Sequence, residues 1–335
     1  MTASTTARRP ARVGLPLDTA AASSAPVWLV FGGVFAVAWL LVELNGGQFM
    51  TVENLQNMAV RSVALGLVAV GQTIVLIGGS LDLSVAYMVS VTAVGASFVM
   101  QGDPDRMALG VAVTLVLGVV VGLVNGLIVT GLRVNAFIAT LGTSLVMSGI
   151  LNALFTNFTG AVPRQFQGLG YQALGPVPVA VLLLLAVVAL AWYLLRRTRF
   201  GYHLYAVGGS AEAARLSGVR TDRVVVTAHV LCSLTAVLTG LFLVSRLRSG
   251  APWVGPDGGY DLESIAAAVV GGTALAGGRG SVAGTLAGVL ILAVIDQVFN
   301  EFEVNAFLKT LIRGVIIVGA VALYAARSRR SEGSF

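Results

Sequence analysis

The chain has 335 residues, of which 56% are hydrophobic and 11% charged, with a mean hydropathy of +0.89. Soluble domains carry roughly 25% charged residues, so this composition excludes a soluble globular protein. A net charge of +6 and a pI near 10.0 would suit nucleic acid only beside a basic face with base-reading elements, and no such face is present.

Residues 1–26 are rich in Ala, Thr, Ser, Pro and Arg and bury too little apolar surface to fold alone, so they read as a disordered cytosolic tail. No small-residue cleavage site follows the apolar run from Val27 to Val42, which therefore reads as a first span and not as a signal peptide. Ten segments are long and apolar enough to cover a hydrocarbon core of roughly 30 Å: 27–43, 57–78, 82–100, 107–131, 136–157, 177–195, 223–247, 260–276, 281–300 and 307–326. The third and eighth are short and broken by glycine or polar residues, as re-entrant segments are. The fold class expected is all-α: a polytopic membrane domain over 27–326 with both termini cytosolic and a second tail at 327–335. With that topology 14 of the 21 basic residues face the cytosol, and most acids, among them Glu43, Glu53, Asp103, Asp257 and Glu301, fall outside. A shift by one span would reverse this bias.

Within the spans, small residues and amides replace charge. Gly118, Gly122 and Gly126 are spaced by four, as are Gly280, Gly284 and Gly288, so each set lines one helix face and admits a close neighbour. Ser84-Val85-Ala86 after Gly78-Gly79 matches Ser281-Val282-Ala283 after Gly277-Gly278, and the offset of 197 superposes spans one to four on spans seven to ten. Cys232 is the single cysteine, which excludes an intramolecular disulfide. His203 and His229 are the two histidines; neither has co-ligands nearby in sequence, and both read as structural. No nucleophile and base stand in register for a hydrolase.

The longest basic interruption runs from Arg196 to Arg223, around the loop 196–222, with six arginines against Glu212 and Asp222. Ser210 followed by Ala211 to Ser217, with a stop at Gly218, spells a short capped helix. The run Glu212-Ala213-Ala214, then Gly218, resembles the EAA loop of ABC importer permeases, which docks into a groove of the ATPase subunit. Gly78 to Ser84 (GGSLDLS), Val124-Asn125-Gly126 leading to Phe137 to Thr143 (FIATLGT), and Tyr260 to Ala267 with Gly271-Gly272-Thr273 and Gly277 to Ser281 are similar to elements of the ribose, xylose and arabinose type of bacterial ABC sugar permease. The likeness runs in one order over about residues 58 to 322. One departure is the absence of an I-x-L-P run between Val226 and Cys232.

The resemblance implies a permease subunit importing a monosaccharide, with an extracytoplasmic solute-binding protein, a cytosolic ATPase and a second permease subunit as partners. The chain has no G-x-x-x-x-G-K-[ST] run, so ATP and magnesium belong to the partner ATPase and no cofactor is expected here. Three sets of residues carry the expected roles. Glu212, Ala213, Ala214, Arg215 and Gly218 couple to the ATPase. Gln72, Thr73, Asp82, Ser84, Asn125, Thr140 and Asn152 line or gate the path, since amides and hydroxyls replace water around a sugar; bonds between neighbouring helices are the equal alternative. Arg164, Arg246, Arg248, Trp253 and Tyr260 dock the binding protein, as Arg and aromatic anchors do, or else form an interfacial belt.

Two other classes stay open. A secondary transporter places ionisable groups at mid-membrane, and here Asp296, beside Gln297 deep in the ninth segment, is the main such group. Permeases of nucleosides, of autoinducer-2 or of branched-chain amino acids share the same features, and the sequence does not name the solute.

Overall fold

The computed structural model describes residues 24–305, 307–312, 314, 315, 318 and 319. Most of the tail at 1–26, half of the tenth segment and the tail at 327–335 lie outside these residues.

Thirteen helices, labelled α1 to α13, follow in chain order among the described residues. They are α1 (Ala25–Leu44), α2 (Val52–Ile77), α3 (Val85–Met100), α4 (Met107–Gly131), α5 (Ala136–Leu154), α6 (Arg164–Tyr171) and α7 (Val179–Arg197). Then come α8 (Arg199–Gly209), α9 (Ala211–Leu216), α10 (Thr221–Leu247), α11 (Val254–Asp257), α12 (Tyr260–Val270) and α13 (Val282–Glu301). One small hairpin interrupts them, β1 (Ala173–Leu174) pairing antiparallel with β2 (Val177–Pro178) through a turn in which Gly175 takes φ 60°. Seven helices are long and apolar enough to cross a membrane: α1, α2, α4 with the short 3-10 turn before it, α5, α7, α10 and α13. The chain is thus a multi-pass helical membrane protein.

The two segments read as short are short. α3 has 16 residues and α12 has 11, and at 1.5 Å per residue α12 covers roughly half of a hydrocarbon core. Gly271 caps it, and the loop 271–281 returns to the start of α13. The basic loop is more ordered than its sequence suggested. Arg196 and Arg197 form the last turn of α7, and α8 occupies 199–209, its first turn capped by Thr198, whose hydroxyl accepts from Gly201 N. Only α9 matches the single helix expected there.

α10 is the centre of the bundle and packs along α2, α3 and α4. α2 is buried over 94% of its apolar stretch, whereas α1 is buried over 11% and stands at the periphery. Lipid tails are as apolar as leucine, so close packing of small residues joins such helices. A Cβ on Gly118 would stand 2.5 Å from Val237 Cγ2, on Gly122 2.5 Å from Val230 Cα, and on Gly126 2.7 Å from Val226 Cα. The α4 seam therefore admits α10 at backbone distance. Gly284 and Gly288 of α13 do the same for α12, where the backbone of Gly271 and Ala267 occupies the space of a side chain. The repeat is visible as well: α3 starts at Val85 and α13 at Val282, separated by the offset read in sequence.

Candidate functional site

At one end of the bundle, which also carries α9, the loop 78–84 between α2 and α3 is held by a buried polar cluster. Asp82 is completely buried. Its Oδ1 accepts from Ser84 N at 2.9 Å and from the Ser84 hydroxyl, and its Oδ2 lies 3.2 Å from His229 Nδ1 on α10. On the far side of the ring, His229 Nε2 stands 2.9 Å from Ser80 Oγ. His229 Nδ1 faces the Asp82 carboxylate, an acceptor, and its Nε2 pairs with the Ser80 hydroxyl, so both ring nitrogens are satisfied. Asn125 of α4 donates from Nδ2 to Ser84 Oγ at 2.8 Å and to Asp82 Oδ2 at 3.3 Å. Thr140 of α5 accepts from Leu83 N at 3.1 Å. The Gln72 amide, oriented to match its partners, spans the main chain of Asp82 with N and O both at 3.2 Å. Asn125 Oδ1 meets no donor among the described residues. Four helices thus converge on the loop: α4 and α10 reach the Asp82 carboxylate, while α2 and α5 hold the main chain at Asp82 and Leu83.

This arrangement adds to two expectations. His229 is a structural residue, as read, but it has specific partners brought from 147 and 149 residues away. Nor does the sequence bring Ser80, His229 and Asp82 together, whereas here they bond in series. Ser80 is buried, and the series ties the loop 78–84 to α10. Of the residues expected along the path, Gln72, Asp82, Ser84, Asn125 and Thr140 meet in this cluster. Thr73 lies apart, its hydroxyl bonded to Thr285 of α13 at 2.5 Å. Asn152 is exposed near the end of α5 and donates to Ser148 Oγ at 3.3 Å.

Next to the cluster, three glycine-bearing segments cross. Gly278 N donates to Ile77 O at 2.9 Å. A Cβ on Gly277 would stand 2.8 Å from both Gly208 O and Gly79 Cα. The matching loops of the two repeats therefore touch, with the end of α8 wedged between them. Tyr205 of α8 adds a bond from its hydroxyl to Gly280 O at 2.7 Å. Burial pushes the Tyr205 phenol above its ordinary value, with Arg196 pulling the other way, so it stays a neutral donor.

α9 follows directly from that wedge. Ser210 caps it, accepting from Ala213 N at 3.2 Å, and Gly218 takes φ +84° just after it, the left-handed stop glycine supplies. Glu212, Ala213 and Arg215 are exposed, but Ala214 is 6% exposed and turns into the protein core. The expectation that Ala214 offers itself to a partner is corrected, because a helix this short needs one face to anchor it. Leu216, which the sequence reading passed over, is 81% exposed. An apolar side chain so placed beside a buried small one is the only signal that marks it.

At the opposite end of the bundle, Thr159 and Gly250 form a bridge that clips the segments after α5 and α10 together. The guanidinium carbons of Arg246 and Arg248 stand 5.7 and 5.4 Å from the centre of the Tyr171 ring, and Tyr171 donates its hydroxyl to Arg246 O at 2.8 Å. Trp253 meets Phe158 edge to face at 5.2 Å. Arg164 is exposed at the first turn of α6. Tyr260 does not join this surface: at the start of α12 it packs partly buried against the core.

The sequence matches the family model described as "Branched-chain amino acid transport system / permease component" over residues 54–321. It is 39% identical over 289 residues to the ribose import permease protein RbsC of Escherichia coli K12, covering 84% of this chain and 88% of that one. RbsC of Bacillus subtilis 168 is 39% identical over 302 residues, 88% and 91% of the two chains. The L-arabinose transport system permease protein AraH of Escherichia coli K12 is 33% identical over 310 residues, 91% and 94%. No solved structure matches the chain. A match over most of its length makes this chain a member of that permease-component family.

Proposed function

We propose that this chain, as a member of that family, is the membrane-spanning subunit of a binding-protein-dependent ABC importer and passes a monosaccharide, a pentose or hexose, across the cytoplasmic membrane. The observation that carries the reading is its near full-length likeness to permeases named for ribose and L-arabinose. The topology has ten spans with both termini cytosolic, α12 entering only part way and the tenth span beginning at the helical residues 307–312. The end bearing α9 faces the cytosol, in agreement with its arginines. ATP and magnesium are bound by a separate ATPase, a solute-binding protein delivers the sugar outside, and a second copy of the permease completes the pore.

In this mechanism α9 docks in the ATPase, with Glu212, Ala213, Arg215 and Leu216 as the docking side chains. Movement of α9 reaches the two glycine loops through α8 and the Asp82 cluster through α10 and His229. Gln72, Asp82, Ser84, Asn125 and Thr140 hold the inner gate closed, while Thr73 keeps α2 and α13 in step; Asn152 lies on an exposed face away from this gate. Arg164, Arg246, Arg248 and Trp253 receive the binding protein.

Reconstitution of the permease with its ATPase and binding protein in proteoliposomes tests the reading: ATP-dependent uptake of labelled D-ribose, L-arabinose or D-xylose is the expected result. A second reading has support in the family description, which names branched-chain amino acids, so leucine belongs in the same panel with a nucleoside and autoinducer-2. Uptake driven by an ion gradient without ATPase would replace both with a secondary transporter.

A further inference from the structure

Five charged residues that no step above uses, Arg61, Asp257, Glu263, Asp296 and Lys309, line one cavity. It has a volume of about 340 Å³ and lies between α2, α12, α13 and the segment at 307–312, at the end opposite α9. Gln297 and Asn300 line it too, over an apolar floor of Met58 and Leu65. Arg61 lies roughly 14 Å along α2 from its first residue, and Asp296 roughly 8 Å from the last residue of α13. Both stand on helices apolar enough to cross a membrane, where ionisable groups are costly and mark solute paths. At the rim Gln297 gives Nε2 to Asn54 Oδ1 at 2.6 Å, and Asn300 Oδ1 accepts from Lys309 Nζ at 2.7 Å, so each amide has a second polar atom besides.

We infer that this cavity binds the translocated solute, a neutral polyhydroxylated ring, in the outward half of the permease. The inference rests on the monosaccharide reading and deepens it. A bare cation would meet Arg61 and Lys309, and an anion would meet Asp257, Glu263 and Asp296. A ring of hydroxyls meets neither difficulty, since each hydroxyl both donates to a carboxylate and accepts from a guanidinium, ammonium or amide. The apolar floor suits the C–H face of such a ring, and the volume falls in the range of small-molecule pockets, roughly 300–1,000 Å³.

Two measurements on the complete permease, ATPase and binding-protein complex in proteoliposomes test it. In the first, Asn300→Cys at the exposed rim is labelled with a charged methanethiosulfonate; the parent chain is the blank, because Cys232 is buried. The sugar that the wild type takes up best, from D-ribose, L-arabinose and D-xylose, slows labelling several-fold. In the second, Asp296→Asn and Glu263→Gln insert at wild-type levels and lower uptake about tenfold or more, the effect of losing a hydrogen bond to a charged group, while binding-protein-stimulated ATP hydrolysis stays near the wild-type rate. Labelling that the transported sugar leaves unchanged, or wild-type uptake in both variants, overturns the inference. A wild-type complex that takes up no sugar of the panel overturns the monosaccharide reading itself, and the ligand assigned here with it, before any variant is compared.

Discussion

His229 Nδ1 stands 3.2 Å from Asp82 Oδ2, and neither side chain has any exposed surface. The pair joins the longest buried helix to the loop that begins the first repeat's α3. Leaving a buried acceptor without its hydrogen-bond donor costs about 1–3 kcal/mol, more for a carboxylate, whereas replacing both partners with neutral groups of similar shape is far milder. His229→Leu should therefore destabilise the detergent-solubilised protein by about that amount, and adding Asp82→Asn should recover part of it. A double-mutant cycle of thermal unfolding measures the coupling; additive losses would show that the pair is not a unit.

The crossing at Gly208 separates two adjacent glycines. A Cβ on Gly208 would overlap Ile77 O and lie 2.5 Å from Gly278 N, whereas nothing lies within 4 Å of one on Gly209. Gly208→Ala should cost about 1–3 kcal/mol by overpacking and reduce uptake strongly, with Gly209→Ala close to wild type. Uptake and thermal unfolding of both variants, measured together, make the comparison internal.

At α9, Gly218 has open space around it and φ +84°, so Gly218→Val meets only backbone strain, about 1–2 kcal/mol. The spans should stay folded while co-purification of the ATPase falls. Leu216→Glu and Glu212→Lys change exposed side chains alone and should weaken that association without lowering the unfolding temperature. Normal ATPase binding and uptake in Gly218→Val with Glu212→Lys would remove α9 from the coupling path.

On the opposite face, Arg246 and Arg248 flank the Tyr171 ring, so one aromatic presents two positive charges. Arg246→Glu with Arg248→Glu should weaken stimulation of ATP hydrolysis by the binding protein and flatten its dependence on ionic strength, since such charges act mainly on the association rate. Unchanged stimulation across a salt series would assign both arginines to lipid headgroups instead.

Tyr205 supplies a pH expectation. Its phenol is raised above the ordinary 10.0 in the folded protein, chiefly by burial. The folded state thus holds this proton more tightly than the unfolded chain, so the contribution is constant below the unfolded value and is lost as pH rises through the folded one. Tyr205→Phe should cost about 1 kcal/mol through the lost bond to Gly280 O and abolish the decline in stability above pH 10 that this group causes, as followed by unfolding between neutral and strongly alkaline pH.

Local features carried much of this protein. Helix bounds followed from apolar runs, because a segment without water must satisfy its backbone within itself, and α3, α4, α10 and α13 start or end within a few residues of the expected places. The glycine spacing announced the α4 seam and the Gly284–Gly288 part of the α13 seam, while Gly280, expected on the same face, lies in the loop before α13. Ser210 and Gly218 announced α9, since caps and stops act over one turn. Tertiary structure alone decided what those residues meet. His229 was a lone histidine in an apolar run until a loop 147 residues away supplied Asp82. Ala214 and Leu216 are two residues apart in one motif, yet packing buries the first and exposes the second. Asp296 was an isolated charge, and only the approach of α2, α12 and the segment at 307–312 made it part of a cavity. Helix propensity, capping and hydropathy are properties of neighbours along the chain; burial and partnership of a polar side chain depend on residues that pattern does not link to it.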